Sequence, residues 1–296
     1  MSSSSPWARG QRRTSHLHLM APERNMNGLR PDQATIGIVN YRTLECIRLC
    51  LRSIRRFTTY PHEVIVVDND SRDASLAYLK GLPWIRLVER QSEDGESGAR
   101  AHARGLDLAL KHCNTEFFVA MHSDTFVQKE NWLRDILGHF AHNPGLACVG
   151  SGKIELRPRW RQWLKETTDV RTFKRRLLKE PDPLGIYRYY NRTICCACRT
   201  EVLRRERLSF EMGQDQGLTP GKKLYFELLD RGYQTVELPP HTMSKSLVHL
   251  AHATQAFNPD QFRLRDKTVR KCYRLTQRVL AAPPFCEILA DTSLDR

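Results

Sequence analysis

The 296-residue sequence predicts an α/β fold with an open, mostly parallel sheet, and two apolar runs that end on acids are the main evidence. The first, 62–68, is rich in valine and isoleucine, breaks at Asp68 and delivers Asn69, Asp70 and Asp73 into the loop beyond. The second, 116–121, is followed by His122, Ser123 and Asp124. Strand-like composition that stops on a carboxylate places that carboxylate at the carboxyl end of a strand, where open α/β sheets bind ligands. Turn and cap roles compete with this. Asp73 can cap a helix beginning at Ala74, Asn69-Asp70 can make a turn, and Asp124 can serve a turn before a helix near Trp132. Asp68 has no such alternative.

The remaining elements fall in order around these two. Residues 34–39 read as a first strand, and 44–57 as a helix with Leu44, Ile47, Leu51 and Ile54 at helical spacing and arginines between them. Between the acidic loops, 97–107 reads as an Ala-rich amphipathic helix. Gly98 and Ala99 at its start let backbone N–H groups approach a ligand, and Arg100 or Arg104 can neutralise phosphate charge. Farther on come a strand and helix over 193–203, in which Cys195, Cys196 and Cys198 read as buried strand residues because one Cys-x-Cys without a second pair is a poor zinc signature. A helix over 224–230 with a Gly232 stop and a short strand follow. A final segment, 247–254, carries His249 and His252.

Val67-Asp68-Asn69-Asp70-Ser71-Arg72-Asp73 together with His122-Ser123-Asp124 resembles the two acidic loops of family 2 glycosyltransferases with the GT-A fold. The resemblance implies a Rossmann-like central sheet flanked by helices, with a smaller acceptor-side lobe. It implies a nucleotide-diphosphate sugar as donor, Asp68 and Asp70 on the nucleoside, and Asp124 on a divalent cation, Mn2+ or Mg2+. It also matches Val39, Asn40 and Tyr41 to the loop that meets the nucleotide, and Gly98, Arg100 and His102 to the small-residue helix start beneath it. Ser123 joins Asp124 in the metal-and-diphosphate element, and His249, with His252 in reserve, matches a late histidine that can complete the metal site. Magnesium and manganese both suit Asp124 with phosphate oxygens and water, and one imidazole leans the choice towards manganese.

Two departures accompany the resemblance. His122 stands where the metal motif usually begins with Asp, and Thr219-Pro220-Gly221-Lys222 replaces the usual late Glu-Asp pair. In inverting members that pair supplies the base on the acceptor hydroxyl, so Asp215, or else Glu211, is expected to substitute. The resemblance runs from about Ala34 to Thr254 and implies inverting transfer to a glycan, a lipid-linked or a small-molecule acceptor. With the Ser-, Arg- and Asn/Gly-rich start and the basic residue mix of the end, it divides the chain into a disordered tail over 1–32, a GT-A domain over 33–256 with its nucleotide half ending at 127, and a basic amphipathic helix and tail over 257–296.

Composition agrees with an enzyme of one α/β domain. The formal charge of +14 makes polyanions candidate partners, with basic and aromatic residues interleaved over 157–179 and 262–274. Contact with the inner face of a membrane is compatible with these segments. A nucleic-acid-binding protein is the contrasting reading, but the basic segments match no recognition motif and such a module has no need of acids at two strand ends. A catalytically inactive nucleotide-binding relative is a further alternative, motivated by the missing Glu-Asp pair. A nucleotidyltransferase is disfavoured because 39–43 lacks a glycine- and lysine-rich triphosphate loop. Nine cysteines scattered through predicted elements, and the lack of an apolar leader or spanning run, point to the cytoplasm.

Overall fold

A computed structural model describes residues 28–154, 190–261 and 266–296. Most of the predicted N-terminal tail, 1–27, and the basic aromatic stretch 157–179 lie outside the described residues.

The sheet has seven strands: β1 Arg30–Asn40, β2 His62–Asn69, β3 Ile85–Arg90, β4 Thr115–His122, β6 Leu146–Ser151, β7 Cys195–Arg199 and β8 Gln234–Leu238. Their order is β3-β2-β1-β4-β7-β6-β8. All run parallel except β7, which is antiparallel to both β4 and β6. β1 begins inside the segment expected as tail, because Asp32 donates its N–H to Glu116 and Arg30 donates to the Asn114 carbonyl.

Alternation of side chains along the strands builds two apolar layers. Ile36, Ile38, Val64, Val66, Val119 and Met121 face one side. They pack against α1 (Leu44–Phe57), α4 (Trp132–Ala141) and the C-terminal α10 (Phe285–Ala290). Ile65, Val67, Phe118 and Ala120 face the other side, towards α3 (Gly98–His112), α5 (Thr200–Arg205) and α6 (Lys222–Asp230). Each fully buried Ile, Leu or Phe in these layers contributes about 1.5–3 kcal/mol relative to exposure. Helix α2 (Ala74–Lys80) begins where Asp73 accepts the Ser75 N–H at 2.9 Å, as the sequence signal implies.

Gly105 fixes the height of α3 over the sheet. A Cβ there would lie 2.8 Å from a Val39 methyl, so only glycine allows so close an approach. The helix start is thereby drawn to the carboxyl edge of β1 and β4.

At that edge a second, two-stranded sheet pairs β5 (Thr125–Val127) antiparallel with β9 (Leu247–His249). Its register sets His249 opposite Thr125, next to Asp124. The C-terminal segment also differs from a loose tail. After α9 (Asp266–Leu280), α10 packs on α1, and the final turn is tied back where Asp295 meets Arg52 of α1 and Tyr78 of α2. Among the described residues no helix is long and apolar enough to cross a membrane.

Candidate active site

A cleft of about 770 Å³ opens along the carboxyl edges of β1 and β4. Val39, Tyr41 and Asn69 line it from the β1 and β2 ends, and Gly98, Ala99 and His102 from α3. His122, Ser123 and Asp124 form its floor, and Lys153, Arg192, Thr193, Thr219 and residues 251–255 close the far side.

Asp124 is the centre of the floor and only 6% exposed. Its carboxylate lies 3.3 Å from His249 Nε2 and 3.7 Å from His122 Nδ1, and it accepts the Ala253 N–H at 3.3 Å. Burial works to raise the carboxyl pKa, but His249 and His122 outweigh it and hold Asp124 well below the usual carboxylate range. A ligand atom from each of His122, Asp124 and His249 lies within 4.8 Å of the others.

Burial disfavours the charged form of two imidazoles at the site, His122 and His102. Burial lowers the pKa of His122, whose Nε2 is 3.0 Å from Thr193 Oγ1. Burial, reinforced by His122, pushes His102 down to about 3. The His102 ring stands edge-on to His122 at 4.7 Å between centroids, and its Nε2 is buried without a hydrogen-bond partner among the described residues. Two imidazoles and a carboxylate form a donor set that fits a divalent cation, which binds such groups in their unprotonated forms. His122, which the sequence reading sets aside as a departure from an acidic motif, thus belongs to the cluster. The signal was its place in the motif; the distance to His249 comes only from β5–β9 pairing.

The other sequence candidates divide. Val39, Tyr41, Gly98, His102, Ser123, Asp124 and His249 all line the cleft. Asp68, Asp70, Asn40 and Arg100 do not line it. Asp68 is 1% exposed and accepts three hydrogen bonds within the fold, from Asn40 Nδ2 at 2.7 Å, Ser71 Oγ at 2.6 Å and Ser71 N–H at 2.9 Å. Asn40 Nδ2 also reaches Ser75 Oγ at 2.9 Å. Asp70, at φ 62°, is clasped by Arg72 at 2.6 and 3.0 Å. Asn69, between the two acids, is the member of this loop that faces the cleft, and its Nδ2 donates to the Ala101 carbonyl at 2.9 Å.

The substitute bases are also displaced from the cleft lining. Asp215 has a side chain 91% exposed and pairs with Arg100. Glu211 is bridged by Arg104 at 2.9 Å and Arg100 at 3.4 Å. The arginines read from sequence as phosphate partners are therefore engaged by the acids read as bases.

Comparison with known proteins gives the class. The family model for glycosyl transferase family 2 matches residues 35–206, more than half of the chain. The chain belongs to glycosyl transferase family 2, and its sheet, strand-end cleft and flanking helices are those of the GT-A fold. No curated protein matches it. Among solved structures it is similar to the mannosyltransferase PcManGT from Pyrobaculum calidifontis in complex with GDP-Man and Mn2+. That match has 17% identity and a TM-score of 0.51, and covers 88% of this chain and 73% of the other. A second, residues 1–349 of TarS from S. aureus, has 14% identity and a TM-score of 0.48, and covers 85% and 72%.

Proposed function

We propose that this glycosyltransferase moves a sugar from a nucleotide-diphosphate sugar to an acceptor hydroxyl with a divalent cation, manganese for preference, held by Asp124, His249 and His122. The observation that carries this reading is the convergence of those three groups on the cleft floor, within 4.8 Å of one another. Such a cation, when bound, neutralises the charge that develops on a leaving diphosphate. The second imidazole beside Asp124 favours manganese over magnesium, which prefers oxygen donors and keeps its water. The complex of PcManGT with GDP-Man and Mn2+ supports the same choice.

The chain's own groups account for the rest of donor binding. Asn69 and Tyr41 offer polar contacts to the nucleoside, while Asp68 holds the Asn69 loop in place through Asn40 and Ser71. The first turn of α3 turns Ser97, Gly98 and Ala99 to the cleft, where helix-terminal N–H groups favour anions. Arg192 supports a diphosphate beside the cation: it lines the cleft, its guanidinium stacks over Tyr190, and its buried Nε has no hydrogen-bond partner among the described residues. Inversion at the anomeric carbon is the stereochemical course of the reading, and no step is assigned to Asp215 or Glu211.

Thermal stabilisation by GDP, UDP, CDP and dTDP, each with and without Mn2+, tests the proposal. A ligand at a hundred times its Kd stabilises the native state by about 2.7 kcal/mol. The expected result is an upward shift of several degrees with one nucleotide that requires both Mn2+ and Asp124. Shifts that are absent with every nucleotide, or unchanged in Asp124→Asn, would contradict it.

A further inference from the structure

Three thiols meet inside the sheet layer that faces α3, α5 and α6. Cys196 and Cys198 are two apart on β7 and so share one face, and the antiparallel register sets Cys148 of β6 opposite Cys198. The Cys148 and Cys196 sulfurs are 3.2 Å apart, those of Cys196 and Cys198 are 3.8 Å apart, and all three lie within 4.8 Å of one another. All three residues are buried. Reading these cysteines as plain strand residues holds for Cys195, which faces the opposite layer. It does not anticipate Cys148, which reaches the same spot from a strand distant in sequence.

The 3.8 Å spacing of Cys196 and Cys198 matches metal ligation, and the 3.2 Å Cys148–Cys196 pair needs to open by only about 0.6 Å to do so. With Zn–S bonds of about 2.3 Å, sulfurs around a tetrahedral zinc stand about 3.8 Å apart. A fourth group is present. Asn191 is 3% exposed, its Nδ2 lies 3.2 Å from Cys148 Sγ, and its Oδ1 has no hydrogen-bond partner among the described residues. Leaving a buried acceptor unsatisfied costs about 1–3 kcal/mol. A half-turn of the carboxamide exchanges Oδ1 and Nδ2 without changing the shape of the side chain. Gly150 makes this packing feasible, since a Cβ there would stand 2.9 Å from Asn191 Cβ and 3.3 Å from Cys196 Cβ.

We propose that Cys148, Cys196 and Cys198 form a second metal site, closed and structural, that binds zinc through three thiolates with the Asn191 carbonyl oxygen as fourth donor. Three S–H protons pass to solvent as three S–Zn bonds form, and no electrons are transferred. Thiolates select zinc over the harder cations that suit the cleft, so the two sites sort their metals by donor type. The ion fastens Asn191 to β6 and β7. Its neighbours Tyr190, Arg192 and Thr193 line the cleft, and Thr193 holds His122 at 3.0 Å, so the zinc site secures one wall of the catalytic cleft from behind.

The test uses untagged full-length protein produced in zinc-poor medium supplemented with Co2+, because a closed site fills as the chain folds. Thiolate-to-cobalt charge-transfer absorption in the near ultraviolet is expected in the wild type at one equivalent per chain. It is expected to persist in Asp124→Asn, which removes cobalt from the cleft only, and to vanish in Cys148→Ala and Cys198→Ala. Elemental analysis of protein from ordinary medium should find one zinc released only by a thiol-specific mercurial. Cobalt-grown wild-type protein without thiolate charge transfer would overturn the proposal even if the cysteine variants failed to fold. So would a native mass two hydrogens low from a Cys148–Cys196 disulfide.

Discussion

The ends of β2 and β4 carry the same sequence signal, an acid closing a buried apolar strand, and the fold uses them in opposite ways. Asp68 is surrounded by donors: Ser71 gives it an N–H and a hydroxyl, and Asn40 gives it an amide. Its lone pairs are spent inside the protein, where they fix the loop that carries Asn69. Asp124 is flanked instead by imidazoles, with one backbone N–H at 3.3 Å. Imidazole nitrogens add to the carboxylate oxygens as lone-pair donors, and such a cluster favours a cation. On the proposed reading, what separates a structural acid from a ligating one is therefore the chemistry of the neighbours, not the position of the acid on its strand.

The comparison breaks most visibly at Asp124. Asp124→Asn is expected to leave the fold intact but lower glycosyl transfer by about 1,000-fold or more, equivalent to about 4 kcal/mol of transition-state stabilisation. Steady-state kinetics at saturating Mn2+, with circular dichroism as the folding control, measure this. Asp68→Ala should do the reverse. Removing a buried acceptor of three hydrogen bonds is expected to cost about 3 kcal/mol of stability, read as a lower urea midpoint, while Mn2+ affinity stays within about twofold.

A third acid sharpens the contrast by titration. Burial tends to raise the pKa of Asp295, but Arg52 and Tyr78 outweigh it and hold the carboxyl below its ordinary value. A depressed pKa stabilises the fold above the unfolded-state value and loses that contribution as pH falls through the native one. Asp295→Asn should thus cost about 2 kcal/mol at neutral pH, and its unfolding curve should converge with the wild type in acid below about pH 4. Equal stability of the two proteins at pH 7 would show that the C-terminal clamp adds nothing. The smallest effect is expected at Asp215. Because that carboxylate is 91% exposed and paired with Arg100 away from the cleft lining, Asp215→Asn should keep kcat within about twofold, where a catalytic base would lose 100-fold or more.

Both strand ends were legible in the sequence because a run of β-branched residues cut off by an acid is a local pattern. α1 and the Gly232 stop were legible from local patterns too, whereas His249 was picked out by the family resemblance. The divergence between Asp68 and Asp124 was not legible, since their neighbours arrive from other elements: Asn40 from β1 and His249 across the β5–β9 pair. Arg100 and Arg104 could be read as phosphate ligands, and Asp215 and Glu211 as bases. That they meet one another depends on packing of the 209–217 loop against α3, where Asp107 accepts the Phe210 N–H at 2.8 Å. The thiol cluster was hidden because Cys148 joins Cys196 and Cys198 only through sheet register.

The central claim is that His122, Asp124 and His249 together hold the cation on the cleft floor. Titration of Mn2+ into wild-type, Asp124→Asn and His122→Ala proteins, with free ion followed by electron paramagnetic resonance, tests it directly. One saturable site in the wild type, lost in Asp124→Asn and weakened by about 10-fold or more in His122→Ala, is the predicted result. Equal Mn2+ affinity in all three proteins would contradict it.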